Sequence, residues 1–341
     1  ITPLFAPNAR RPTDFSDISQ GKRSSPPPPR RSMTGLELSR AFYEEYGRPM
    51  LEEKFPEYKG RIAAGLVGHG SECFGFDDEI SRDHDFEPGF CLWITDEDER
   101  LFGFRLFRAY AGLPAEFHGY RLQKRSVMGG GSKGVHTISA FYFAYTGREG
   151  APESLEDWLY TPSFYLAEAT NGEVFSDPLG KFTEIREKIL YGMPPDVRLK
   201  KIASKAIAMA QTGQYNYARC LAHGESGAAG LALARFAEHC AGMIFLLNRV
   251  HAPYYKWLFR AMRKLPLLGG RAALLERLLA DAEASPAQKS AWIESLCADV
   301  AAALVREGLS PALGDYLEPY AFAINETIES PEIRNQHIMQ D

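Results

Sequence analysis

Two aspartates one residue apart, Asp83 and Asp85, follow a Gly70-Ser71 pair after a spacer of eleven residues, in GHGSECFGFDDEISRDHDF (68–86). On extended backbone, residues i and i+2 share a face, so both carboxylates point one way and His84 the other. Two like charges that close are costly unless a cation lies between them. Mg2+ is a hard ion that takes oxygen ligands and favours carboxylates together with nucleotide phosphates. Gly70 lets backbone approach a phosphate closely, and Ser71 adds a hydroxyl and an amide donor. Metal on one pair and phosphate on the other is what nucleotidyl transfer needs: a neutralised triphosphate positioned for in-line attack. The competing interpretation is a solvated acidic turn, with Asp77, Asp78 and Glu79 close by and Arg82 neutralising one charge.

Strands must flank such a segment to hold it. RIAAGLVG (61–68) reads as a short buried strand ahead of the Gly-Ser pair, and FCLWIT (90–95) as a second behind Asp-His-Asp. Residues 35–55 are expected to be helical, capped by Thr34, with Leu36, Leu38, Phe42, Tyr46 and Met50 at roughly helical spacing. DEDERLFGFRLFRAYAG (96–112) reads as a helix with acids in its first turn, where they suit the dipole. VHTISAFYF (135–143) reads as a further strand behind the MGGGSKG loop (128–134), and 164–177 as a strand pair turning at Asn171-Gly172. Past Pro194-Pro195 the pattern is helical almost throughout. Phe236, Cys240, Met243, Ile244 and Leu247 follow a buried helix face, with more helices near 254–264, 270–284, 286–307 and 310–328. The expected architecture is an α/β (α+β) domain with a small mixed sheet over 33–195, then an all-α helical bundle over 196–341. Residues 1–32, with SSPPPPRRS, are expected to be a disordered Pro-rich tail, and Met33 looks like a natural start.

The chain of 341 residues is 45% hydrophobic and 24% charged, which leaves room for two domains. A net charge of −5 provides no bulk basic field for duplex nucleic acid. Five scattered cysteines without a Cys-x-x-Cys pair favour neither a zinc site nor a disulfide framework, so a reducing cytoplasm is expected. The longest strongly apolar run, around 241–247, is far shorter than the roughly 18–20 residues of a membrane span, so no membrane partner is expected. No signal-peptide pattern is visible. MGGGSKG lacks Walker spacing, and GHGSECFG lacks the frame of a hydrolase elbow.

The order strand, Gly-Ser, spacer, Asp-x-Asp resembles the polymerase-beta-like nucleotidyltransferases, here as VGHGSECFGFDDEISRDHDF. The wider sequence is similar to a bacterial family known only as a domain of unknown function, through GSECFGFDDEISRDHDF, QYNYARC (214–220), RFAEHCAGMIFLLNR (235–249) and YYKW (254–257). Its second half resembles the helical domain of aminoglycoside nucleotidyltransferases, and the resemblance spans residues 33–330. It implies ATP or another NTP as donor, Mg2+ as cofactor, and an active site in the cleft between the halves. Asp83 and Asp85 would hold the metal, Gly70 and Ser71 the β- and γ-phosphates. The acceptor would be a hydroxyl of a small molecule or a protein. The family template carries a third carboxylate on a later strand, where VHTIS offers His136 instead. Glu168, Asp177 and Glu225 are candidates for it, Glu225 first because helical-domain acids reach the cleft in related enzymes, and His136 is a further candidate base. Arg249 and Lys256 would bind the triphosphate or the acceptor, although Pro253 interrupts the helix between them. Lys200, Lys201 and Lys205 are expected to form a solvated helix face. The missing strand acid keeps a second class open, a nucleotide-binding regulator without catalysis.

Overall fold

The computed structural model describes residues 33–78, 87–121 and 133–341, so the tail expected over 1–32 lies outside the described residues. Its strands are β1 (Ala63–Leu66), β2 (Cys91–Ile94), β3 (Glu116–Phe117), β4 (Tyr120–Arg121), β5 (Gly134–Thr137) and β6 (Glu173–Ser176). β3 and β4 form a small ribbon, and the others form one sheet in the order β5-β2-β1-β6. β1 is antiparallel to β2, with Gly65 opposite Cys91, and to β6, with Leu66 opposite Glu173. β2 and β5 are parallel, with Trp93 opposite His136. The sheet is small and mixed, as the sequence predicts.

Both faces of β1 and β2 are buried, which explains their continuous apolar runs. One face packs on α1 (Gly35–Phe42) and α2 (Arg48–Lys54), joined by a π turn at Tyr43–Gly47, and on the stretch from α3 (Asp96–Asp98) through a second π turn to α4 (Phe104–Ala111). Thr34 and Glu37 close a capping box at the start of α1. The opposite face packs on α5 (Ile138–Thr146), α6 (Leu155–Tyr160), α7 (Ser163–Thr170) and α8 (Lys181–Tyr191). Small residues make this possible. A Cβ on Gly65 would stand 2.5 Å from Glu173 O and 3.0 Å from the Trp93 ring. Without it, Trp93 lies flat on Phe182, their ring centroids 3.9 Å apart.

From Pro195 every regular element is helical: α9 (Pro195–Met209), α10 (Ala218–Ala222), α11 (Ser226–Leu247), α12 (Tyr255–Met262), α13 (Ala272–Ala280), α14 (Pro286–Arg306), α15 (Glu318–Glu326) and α16 (Pro331–Arg334). Val197 of α9 packs with the sheet core, while Ile202, Ala203 and Ala206 pack in the helical core. Thr34–Asp341 form one compact unit. By length and composition α11 is apolar enough to cross a membrane, with a mean hydropathy of 1.4. Phe236, Cys240 and Ile244 on it are fully buried in the helical core.

Three expectations need correction. VHTISAFYF is a strand only to Thr137, whose Oγ1 accepts a hydrogen bond from Ala140 N at 3.1 Å and starts α5. Residues 163–170 are helix rather than strand, with Leu166 and Ala169, three apart, packed in the sheet core, and the chain enters β6 after Asn171-Gly172. Short apolar runs do not separate the two states by pattern alone. Nor do the lysines of α9 form a solvated face. Lys200 is fully buried, its Nζ donating to Asn325 Oδ1 at 2.9 Å and to Gln336 O at 2.7 Å. Lys201 is buried and donates to Leu159 O at 2.5 Å, while Lys205 is ion-paired with Asp341. Lysines whose amines find carbonyls can enter a core that sequence polarity assigns to water.

Two outcomes are expected. Gly65→Ala forces β1 from β6 and costs about 1–3 kcal/mol in urea unfolding. Burial brings the Lys201 amine down to about 8. The unfolded chain keeps that proton to the ordinary value of 10.5, so it binds more protons than the native state between the two. Unfolding free energy of the wild type should therefore rise with pH from about 8 towards 10.5 relative to Lys201→Gln, and fall back below it.

Candidate active site

β1 runs out at the edge of the sheet where β2, β5 and β6 begin, and the Gly-His-Gly-Ser turn lies there. Gly68 and Gly70 have φ of +124° and +125°, conformations that only glycine adopts readily. Asn171 clamps the first of them. Gly68 N donates to Asn171 Oδ1, and Asn171 Nδ2 donates back to Gly68 O, each at 2.8 Å. Gly172 braces the far side of the turn, donating to Cys73 O at 2.7 Å. Its φ is +61°, and a Cβ there would lie 1.9 Å from Leu66 O. The Ser71 carbonyl accepts from Phe76 N at 2.9 Å, which folds the segment back on itself. Among the described residues that follow Ser71 before Gly75 there is only a short 3-10 turn, Glu72–Phe74.

Charged groups surround the turn. The His69 side chain is 81% exposed, with Nδ1 3.3 Å from Oε1 of Glu168, whose side chain is only 10% exposed. Glu72 is buried against Gly70, and Lys133 approaches it at 3.6 Å while donating to Glu87 O at 2.8 Å. Burial, and next the Glu168 charge, push the Tyr145 phenol well above its ordinary value, so it stays neutral beside Gly68. From the helical part, Arg260 Nη1 donates to Phe76 O at 2.6 Å and lies 3.6 Å from Asp78. Trp257 and Lys264 also pack on the Phe76 ring. Asp77 accepts from Gly35 N at 2.9 Å and so anchors α1.

The other predicted residues divide among several places. Asp83 and Asp85 lie outside the described residues. Gly70 and Ser71 form the half-buried part of the turn. Glu168 is the proposed acid that the fold brings beside it. Asp177 accepts from Thr183 N at 2.8 Å at the start of α8. Glu225 is exposed at the N-cap of α11, and none of its described hydrogen bonds reaches the turn. His136 stands on β5 opposite Trp93. Arg249 follows the end of α11 with φ of +56° and lines a cavity that includes no residue of the turn. Lys256 is exposed on α12 with Nζ 5.4 Å from the Trp257 ring centre. His69 and Lys133 escaped sequence reasoning. The signal for His69 was its place between two glycines, and Lys133 had only its glycine-rich neighbours to recommend it.

Among the described residues no group of three or more His, Cys, Asp and Glu is placed to hold a metal. Mg2+ takes oxygen ligands, and the two aspartates expected to hold it, Asp83 and Asp85, lie outside the described residues.

The family model described as "Domain of unknown function (DUF4037)" matches residues 158–258. That span holds Glu168, Asn171, Arg249 and Lys256 and excludes Gly70, Ser71, Asp83 and Asp85. No curated protein matches the chain. A solved nucleotidyltransferase-like protein from Exiguobacterium sibiricum 255-15 is similar at 12% identity and a TM-score of 0.34, over 84% of this chain and 81% of its own. A likeness of that size carries no weight about activity.

Asn171→Ala leaves the Gly68 amide and carbonyl without their partners. It should cost about 1–3 kcal/mol in urea unfolding and accelerate amide exchange across 68–73. Unchanged exchange there would show that the clamp does not hold the turn.

Proposed function

We propose that the chain is a Mg2+-dependent nucleotidyltransferase that moves a nucleoside monophosphate, AMP from ATP in the first instance, to an acceptor hydroxyl on a small molecule or a protein. The observation that carries this is the braced Gly68–Ser71 turn with an exposed imidazole beside it, backed by a buried carboxylate. Gly70 and Ser71 hold the β- and γ-phosphates through backbone and hydroxyl donors. Asp83 and Asp85 hold Mg2+, which when bound neutralises phosphate charge. Lys133 offsets the Glu72 carboxylate, which would otherwise repel phosphate from the turn. Lys256 contributes positive charge from α12, the helix that packs on Phe76.

The acceptor oxygen forms a bond to the α-phosphorus as the bond to the β-phosphate bridging oxygen breaks, and pyrophosphate leaves. The hydroxyl proton goes to a base. With Nδ1 turned to Glu168, the His69 ring carries its proton there and leaves Nε2 as acceptor. Glu168 orients the ring and stabilises it once protonated. This pair takes the place expected of Glu225.

A second reading, a nucleotide-binding regulator without catalysis, is favoured by His136 on β5, where the family template has an acid.

The test uses the protein with Mg2+, α-³²P-labelled ATP, CTP, GTP and UTP, and a cell extract to supply the acceptor. Label moving to an extract component, lost in Asp83→Ala/Asp85→Ala, is expected. His69→Ala and Glu168→Gln should each lower turnover about 100-fold or more with nucleotide affinity retained. A larger loss in Glu225→Gln would return the base to the helical part. Nucleotide binding without turnover in any extract would favour the regulator, and absence of binding would exclude both.

A further inference from the structure

A cavity of about 480 Å³ opens between the α6–α7 junction, the end of α8, α9, and the α11–α12 connection. Its volume lies within the range of small-molecule sites. Four cationic side chains line it, Arg198, Lys201, Lys205 and Arg249, against two carboxylates, Glu238 and Asp341. Asp341 is already paired with Lys205. The remaining excess is positive, in a part of the protein where charge is expensive.

Arg198 is 6% exposed. Its Nε donates to Leu246 O at 2.9 Å, while its buried Nη2 has no hydrogen-bond partner among the described residues. Buried donors are nearly always satisfied; this nitrogen is closed off from the cavity space, so an acceptor bound there reaches it only when the guanidinium turns towards the void. Burial first, and then the neighbouring Arg249 charge, bring Arg198 down to about 10. Arg249 lines the same cavity as Arg198, so an oxyanion bound there would meet both guanidiniums in charge-assisted contacts. Aliphatic side chains and a group of aromatic rings form most of the rest of the wall. Phe164 packs edge-on to Tyr254, with ring centroids 5.6 Å apart, and Tyr254 meets Tyr255 at 4.3 Å. Tyr255 and Tyr191 line the cavity while remaining 69% and 81% exposed, which is unusual for rings of that size.

We propose that this cavity binds a small aromatic oxyanion, a phosphate or carboxylate group held by Arg198, Lys201 and Arg249 with its ring against Tyr191, Tyr254 and Tyr255. The site stands apart from the Gly68–Ser71 turn and does not depend on the transfer reaction. The 158–258 span of the family match contains every lining residue except Asp341.

Calorimetric titration of the full chain with phenyl phosphate, benzoate, inorganic phosphate and phenol tests it. Phenyl phosphate or benzoate should bind with one-to-one stoichiometry, more tightly than either fragment alone, and the tighter of the two assigns the oxyanion. Lys201→Gln keeps a donor for Leu159 O and removes the charge. Arg249→Gly removes a guanidinium from a left-handed position that glycine occupies without strain, so its melting temperature should hold or rise. Both variants should weaken binding at least about tenfold. The proposal is overturned if neither aromatic anion binds at millimolar concentration, if inorganic phosphate or phenol binds as well as they do, or if Arg249→Gly and Lys201→Gln bind like the wild type.

Discussion

The Asn171 side chain ties the Gly-His-Gly-Ser turn to the loop that leads into β6. Asn171 returns both hydrogen bonds of the Gly68 peptide groups, and Gly172 takes the next carbonyl, at Cys73. The loop between α7 and β6 thus does for the turn what a neighbouring strand does for β1. This matters because glycine at φ near +125° costs conformational entropy and has no intrinsic reason to stay there. The clamp also fixes the spacing between the turn and α7, and with it the approach of Glu168 to His69. Loss of Asn171 would leave the turn held by the Gly172 bond to Cys73 O and the Cys73 Sγ contact with His69 O.

The helical part contributes through α12. Arg260 and Trp257 of α12, with Lys264 just beyond its end, pack on Phe76, and Arg260 also approaches Asp78, where the chain leaves the turn towards the aspartate pair. The same helix supplies Tyr255 and Leu258 to the cationic cavity. α7 is shared likewise, with Ser163 and Phe164 on the cavity and Glu168 beside His69. Two distinct chemical environments are therefore built on common elements, one a polar turn at the sheet edge and the other an aromatic, positively charged hollow among helices.

Much of the architecture was legible because burial leaves strong periodicity. The first helix and the β1 and β2 strands fall where the apolar spacing puts them, and the chain after Pro195 is helical as its pattern predicts. The failures have physical causes. Thr137 is both a good strand residue and a good cap, and its capping hydrogen bond decides the switch to α5. Lys200 and Lys201 read as solvent-facing, yet carbonyls from distant segments satisfy their amines inside the core. No local pattern announces such partners. Around the turn, Gly70 and Ser71 were singled out by residue type and order, whereas the His69–Glu168 contact joins residues far apart in sequence and emerges only from the fold.

The proposed function requires that the braced turn and the aspartate pair make one metal-nucleotide site. Calorimetric titration with α,β-methylene-ATP, which cannot release pyrophosphate, tests it without needing an acceptor. Binding by the wild type is expected only when Mg2+ is present, with a loss of at least about tenfold in both Asp83→Ala/Asp85→Ala and Gly70→Val. Equal binding by the wild type and both variants, or binding indifferent to Mg2+, would contradict it.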